Sequence, residues 1–245
     1  MSSYRPSPFA NITPVVKNLL IINIIFFIAT YLFSNFPVTY YLGISYFDSN
    51  MFKVWQLVTY MFMHGGFQHI LFNMLGLFSF GIILEQVMGS KRFLNFYLIT
   101  GIGAALLHMT VVAFEVHAIT GSFINPGVVV NSDHSGTIAI PGLDGAQQQQ
   151  LFDLYAAPMV GASGAIFGLL LAFGMLFPEM EISMMFIPVP VKAKVIIPLY
   201  IVVELFFGVH KIPGDSVAHF AHLGGALFGY LLLKAWGIRQ PGGYL

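Results

Sequence analysis

The chain contains no cysteine. That removes disulfides, thiolate nucleophiles, iron–sulfur clusters and cysteine-ligated zinc from consideration. Charge is nearly as scarce: only 8% of the 245 residues are Asp, Glu, Lys or Arg, against about 25% in a soluble domain. The ten basic residues are balanced by ten acidic ones. There is no basic excess of the kind a nucleic-acid surface needs, and no net charge to hold a chain disordered. No internal repeat is visible, which weakens an inverted-repeat transporter. What is abundant is apolar: 57% of the residues are hydrophobic. The composition is that of an integral membrane protein.

A spanning helix needs about 20 mostly apolar residues. Six candidate runs lie at 18–36, 67–84, 93–114, 157–177, 195–209 and 217–233, the fifth being short and carrying Glu204. The first is too long for a signal-peptide core and lacks a small-x-small cleavage site after it, so it reads as a retained anchor. Basic residues set orientation. Arg5, Lys17, Lys91, Arg92, Lys192, Lys194, Lys234 and Arg239 fall on one side of this arrangement, and only Lys53 and Lys211 on the other. Both termini are therefore expected in the cytoplasm, with outer loops at 37–66, 115–156 and 210–216. The expected fold is all-α and polytopic: a cytoplasmic segment over 1–17, a six-helix membrane domain over 18–236, and a cytoplasmic tail over 237–245. With no organelle presequence visible, the location reads as a bacterial plasma membrane.

Two connections stand out. The 115–156 loop has no Lys or Arg but holds Glu115, Asp133, Asp144, Asp153 and the run Gln147–Gln150. The ordinary reading of such a loop is a solvated insertion. The stretch 184–191 is apolar but broken by Pro188 and Pro190, and is expected to lie at the interface.

Polar side chains inside apolar spans are functional candidates. The second run holds His69 and Asn73, the fourth Ser163, and the sixth His219 and His222. All three runs enter from the outer side, and His69, Ser163 and His222 fall about 3–9 Å below the outer helix starts at 1.5 Å per residue. His69 and Asn73 are four apart and share a helix face. Ser163 sits between glycines in Gly161-Ala162-Ser163-Gly164. Ala218, His222, Gly225 and Gly229 share one face of the sixth run, which allows tight packing with the imidazole in the seam. Gly164 and Gly168 lie about 100–140° round from Ser163 and are expected to meet a different neighbour.

This set permits acyl transfer. Ser163 Oγ would attack a peptide carbonyl while His222 takes its proton and returns it to the leaving amine. Asn73, the His69 ring N–H and the Ser163 backbone N–H are the natural oxyanion donors. Glu85 lies about 24 Å along the helix from His69. Glu204 is the only conceivable third member, so a dyad is expected, with Glu204 structural. A zinc site built from His64, His69, His219 and His222 lacks an HExxH motif and an acidic ligand at that depth. His108, His117, His134 and His210 receive no role. A transporter or channel using membrane histidines is the alternative from a different class.

At these residues the sequence resembles the rhomboid family of intramembrane serine proteases. Gly161-Ala162-Ser163-Gly164-Ala165-Ile166-Phe167-Gly168 is similar to its GxSGxxxG motif. His222-Leu223-Gly224-Gly225 with Gly229 is similar to its HxGGxxxG motif. The run from His64 through His69 to Asn73 is similar to its second-helix pattern, and Glu85 with Gly89-Ser90 to that helix's inner end. The resemblance covers about 18–110 and 157–236. It implies a six-helix rhomboid-like bundle, a Ser163–His222 dyad without cofactor or metal, and His69 and Asn73 assisting the oxyanion. It implies cleavage of transmembrane segments of substrate proteins near the outer face of the lipid bilayer, after a small residue. It selects His222 over His219 and sets Phe167 against the catalytic imidazole. Two departures stand out. A Trp-Arg pair of the first loop reads Trp55-Gln56 here, and the connection between the third and fourth spans is longer, able to cover the site or dock substrate. Lateral access is expected beside the short fifth span, with 210–216 as a cap. A catalytically inactive rhomboid-like binder of membrane proteins is the other alternative.

Overall fold

The computed structural model describes residues 12–33, 35–131, 133, 135–184, 187–210 and 218–239, with backbone only at 184, 187 and 188. Arg5, His134, Lys211 and the expected cap with Pro213 and Gly214 lie outside the described residues, as do 1–11 and 240–245.

Six helices stand where the apolar runs lie. They are α1 (Pro14–Leu32), α4 (Phe67–Met88), α5 (Ser90–Thr120), α7 (Ser163–Leu176), α8 (Ala193–Val209) and α9 (His219–Trp236). Short helices α2 (Val38–Leu42) and α3 (Gln56–Thr59) fold the first loop, and α6 (Gly145–Ala156) lies in the long insertion. Among the described residues α1, α4 and α5 are long and apolar enough to cross a membrane, while α7 is shorter and equally apolar. Their outward faces carry the apolar surface expected against lipid: Ile21, Ile24, Ile25 and Ile28 on α1, and Val195, Leu199, Val202 and Phe206 on α8, are all exposed.

The end bearing the α4–α5 turn is locked by one carboxylate. Pro14 opens α1, where a missing N–H costs nothing. The next two amides, of Val15 and Val16, donate to Glu85 Oε1 and Oε2 at 3.0 and 2.9 Å. Ser90 Oγ–H donates to the same carboxylate at 2.6 Å. An anion at a helix N-terminus satisfies orphan donors and complements the helix dipole. Glu85 therefore ties α1, α4 and α5 together.

The bundle's centre is α5, α7 and α9. Gly225 of α9 lies so close to the Gly164 carbonyl that a Cβ there would collide with it, and Gly229 rides over Gly168 Cα at 3.0 Å from where its Cβ would stand. On its other side Gly164 faces Ala104, and Gly168 faces Thr100, both on α5. Gly164 and Gly168, expected to meet a different neighbour, thus serve α5 and α9 at once. Close backbone approach through small residues is how helices associate where lipid supplies no hydrophobic drive.

The structure differs from the sequence expectation in four places. The fourth element is helical only from Ser163; residues 157–162 run non-helically, with Met159 bridged to Ile44 and the Gly161 N–H bonded to Tyr60 O at 3.0 Å. Pro158 and a positive φ at Gly161 keep that stretch out of the helix. Secondly, α5 has 31 residues, about 46 Å, against a hydrocarbon thickness of about 30 Å. Thirdly, the fold is not purely helical. Among the described residues two antiparallel ribbons occur, β1 (Val128–Val130) with β2 (Gly136–Ile138), and β3 (Glu181–Met184) with β4 (Ile187–Lys192). The second ribbon is the stretch expected at the interface, and Lys192 and Lys194 both pair with Glu179 beside it.

Lastly, the 115–156 insertion is an ordered subdomain. Val116, Val128, Val130, Leu151, Tyr155 and Ala156 form a second apolar cluster with Tyr46 of the first loop. Asp144 caps α6 in a capping box with Gln147. Asp48 Oδ2 accepts from Tyr155 Oη–H and the Asn125 N–H, each at 2.7 Å. Asn50 pairs with the Val130 backbone through both its amide groups, at 2.9 and 3.0 Å. The first loop has its own staple: Gln56, fully buried, accepts from the Ser45 and Lys53 amides and donates to the Tyr40, Tyr41 and Met51 carbonyls. Glutamine thus stitches the loop from within. Asp48→Ala strands two donors and is expected to loosen the insertion by about 1–3 kcal/mol. Faster amide exchange across 121–157, with the bundle's melting unchanged, is the expected measurement.

Candidate active site

Ser163 opens α7, and its own amide is one of the first-turn N–H groups that have no intrahelical acceptor. His222 lies one turn into α9 and is 8% exposed. The Gly164–Gly225 contact directly below brings these helices close enough for the side chains to meet. His222 Nε2 stands 2.8 Å from Ser163 Oγ. Phe167, one turn along α7 from Ser163, stacks flat on the imidazole with ring centroids 4.3 Å apart and planes 6° apart. That contact fixes the plane of the ring.

His69 arrives from α4. The Gly65 N–H donates to its Nδ1 at 3.3 Å, so the neutral ring carries its proton on Nε2. Nε2 lies 2.7 Å from where a Cβ on Gly161 would stand, with Ser163 Oγ 3.5 Å from the same point. Gly161 has φ +129°, which other residues rarely adopt. A side chain there would fill the space between His69 and Ser163. Asn73, buried, gives one amide hydrogen to His69 O at 2.8 Å, which leaves its second for another acceptor. The His69 ring and Ser163 Oγ thus flank the same space above Gly161, with Asn73 one turn along α4 from His69. His64 packs edge-on against His69 at 5.1 Å. Burial, then the His69 charge, push His64 down to about 4, so it stays neutral at ordinary pH. Gly65, Phe67 and Gln68 are exposed beside the site.

The expectation that no acid reaches the imidazole does not hold. Glu204 of α8, 5% exposed, takes His222 Nδ1 at 2.8 Å and His219 Nδ1 at 2.7 Å on the same oxygen, Oε2. Sequence spacing gave two hints: a carboxylate buried in an apolar run, and two histidines three apart on one helix face. The donors of Glu204, His219 and His222 lie within 4.8 Å of one another, so an acid does stand at the depth of these two histidines. Glu204 Oε2 stands at hydrogen-bond length from each imidazole; two ligands of one tetrahedral zinc would stand about 3.3 Å apart. His64 and His69 are no part of that group. His108 lines a small cavity with Ile44 and Met109 near the insertion. His117 and His210 stack on Phe123 and Phe206.

The arrangement sets a hydroxyl against an imidazole between apolar helices, with N–H groups beside it. The comparisons supply the family. The family model of the Rhomboid domain matches residues 51–122 and 132–238. The chain is 30% identical over 192 residues to RHOMBOID-like protein 1 of Arabidopsis thaliana, covering 78% of this chain and 37% of that protein. It is 27% identical over 190 residues to Rhomboid protease GluP of Bacillus subtilis, covering 78% and 27%. It is 29% identical over 179 residues to Rhomboid protein 1, mitochondrial, of Saccharomyces cerevisiae, covering 73% and 40%. The chain belongs to the rhomboid family, which includes intramembrane serine proteases, and it is an integral membrane protein. It spans less than half the length of each of these relatives.

Proposed function

We propose that this chain is an intramembrane serine endopeptidase that hydrolyses peptide bonds in or next to transmembrane segments of other membrane proteins. One observation carries the reading: His222 Nε2 at 2.8 Å from Ser163 Oγ, between two largely apolar helices. Ser163 attacks the carbonyl carbon as His222 accepts the hydroxyl proton. The tetrahedral oxyanion is held by the Ser163 amide, His69 Nε2–H and Asn73. His222 then protonates the leaving amine, and water from the exposed side releases the acyl-enzyme by the same steps in reverse.

α1, α4, α5, α7, α8 and α9 act as the six spans, with both termini in the cytoplasm and the insertion outside. That orientation is supported by the basic residues, which gather at the termini and in the connections opposite the insertion. A helical substrate hides its carbonyls in i→i−4 bonds, so the cut segment must unwind, and Gly, Pro or other weak helix formers are expected near it. Access beside α8 fits a helix whose buried residues are only Ala193, Ile197, Glu204 and Gly208 and which Pro198 interrupts.

A fluorophosphonate probe tests the reading. Labelling of the folded protein mapped to Ser163 by peptide mass analysis is the expected result. A folded protein left unlabelled and unable to cleave membrane substrates would instead be a binder without chemistry. His69→Ala or Asn73→Ala is expected to lower kcat by about 10²–10³, with measurable cleavage remaining.

A further inference from the structure

Glu204 is the single charged residue between Lys194 and the end of α8. An unpartnered carboxylate in that setting is strongly disfavoured, and its partners explain why it is tolerated. Glu204 Oε2 meets His222 Nδ1 at 2.8 Å and His219 Nδ1 at 2.7 Å. An ionised Glu204 accepts from both at once when each histidine carries its proton on Nδ1. With its proton on Nδ1, His222 presents a lone pair at Nε2, the atom that faces Ser163 Oγ. Phe167 sets the plane of that ring; Glu204 sets its rotation within the plane. His219 holds the carboxylate from the far side, its own ring against Phe207 with centroids 5.7 Å apart.

We propose that Glu204 is a positioning residue of the reaction, converting the Ser163–His222 pair into a Ser–His–Glu triad in which His219 anchors the carboxylate. This rests on the serine-hydrolase reading above. The carboxylate selects the reactive tautomer and stabilises the imidazolium formed when His222 takes the serine proton. No atom is transferred to Glu204. The groups in contact with the His222 ring are Ser163 and Phe167 on α7, Glu204 on α8 and His219 on its own helix. Glu204 is the acid among them.

The test is cleavage of a transmembrane substrate by the full chain in proteoliposomes, as kcat and KM across pH, for wild type, Glu204→Gln, Glu204→Asp and Ser163→Ala. Glu204→Gln is expected to lower kcat by about 10²–10⁴-fold with KM little changed. Glu204→Asp should recover part of kcat at wild-type KM. A folded Glu204→Gln protein with wild-type kcat, or a folded Glu204→Asp protein no faster than Glu204→Gln, overturns the proposal. Should Glu204→Gln not fold, Glu204→Asp decides: lowered kcat at wild-type KM supports it, unchanged kcat overturns it. Cleavage surviving in Ser163→Ala would sink the underlying hydrolase reading instead, so the two failures are distinguishable.

Discussion

Ser163→Ala is expected to abolish cleavage of a transmembrane substrate, with kcat falling by about 10⁶ where a nucleophile and its base act as a unit. The change removes one oxygen from a half-buried position at the start of α7. It leaves the Gly164–Gly225 seam and the Phe167 stack in place, so melting in detergent should hardly shift. His222→Ala should be equally inactive but less stable, since it also removes the ring between Phe167 and Glu204. The double variant should be no slower than either single one, because the residual rate comes from binding and the oxyanion donors. Fluorophosphonate labelling should vanish in Ser163→Ala. Cleavage by that variant within tenfold of wild type would dismiss the nucleophile assignment.

The second large effect is expected at Gly225. A Cβ there collides with the Gly164 carbonyl, which is backbone and cannot rotate aside. Gly225→Ala must push α7 and α9 apart. Overpacking of this kind costs about 1–3 kcal/mol. The activity should suffer more than the stability, since these two helices carry the serine and the imidazole, and a displacement of about 1 Å between reacting groups can cost about 100-fold. Gly225→Val should prevent the bundle from assembling and give no labelled protein. Gly145→Ala is the control: a Cβ at Gly145 meets nothing within 4 Å, and the change should be neutral or slightly stabilising. Equal melting temperatures and rates for the Gly225 and Gly145 alanine variants would refute the seam.

The helices and the residues that meet were legible in the sequence because the bilayer punishes polar groups. His69, Asn73, Ser163 and His222 stood out against apolar runs, and glycine spacing on the sixth run pointed to a close helix contact. What escaped detection depended on tertiary geometry. The non-helical approach to Ser163 is made by a bridge to Ile44 and a bond to Tyr60, partners about a hundred residues away. Pro158 was its sole strong local signal. The insertion's core rests on strands of three residues, too short for alternation to register, and its glutamines and missing cations suggested a solvated loop. The Glu204 contact depends on how α8 crosses α9, which spacing along either helix does not give. Gln56 was visible only as a departure from the resemblance, and its five backbone bonds appear once the loop is folded around it.

One oxygen atom on α8 grips two rings on α9, and this gives the lipid-facing helix a second duty. If substrates slip in beside α8, displacing it also pulls that carboxylate off the base. A shift of that one helix would thus be passed to both imidazoles through two hydrogen bonds.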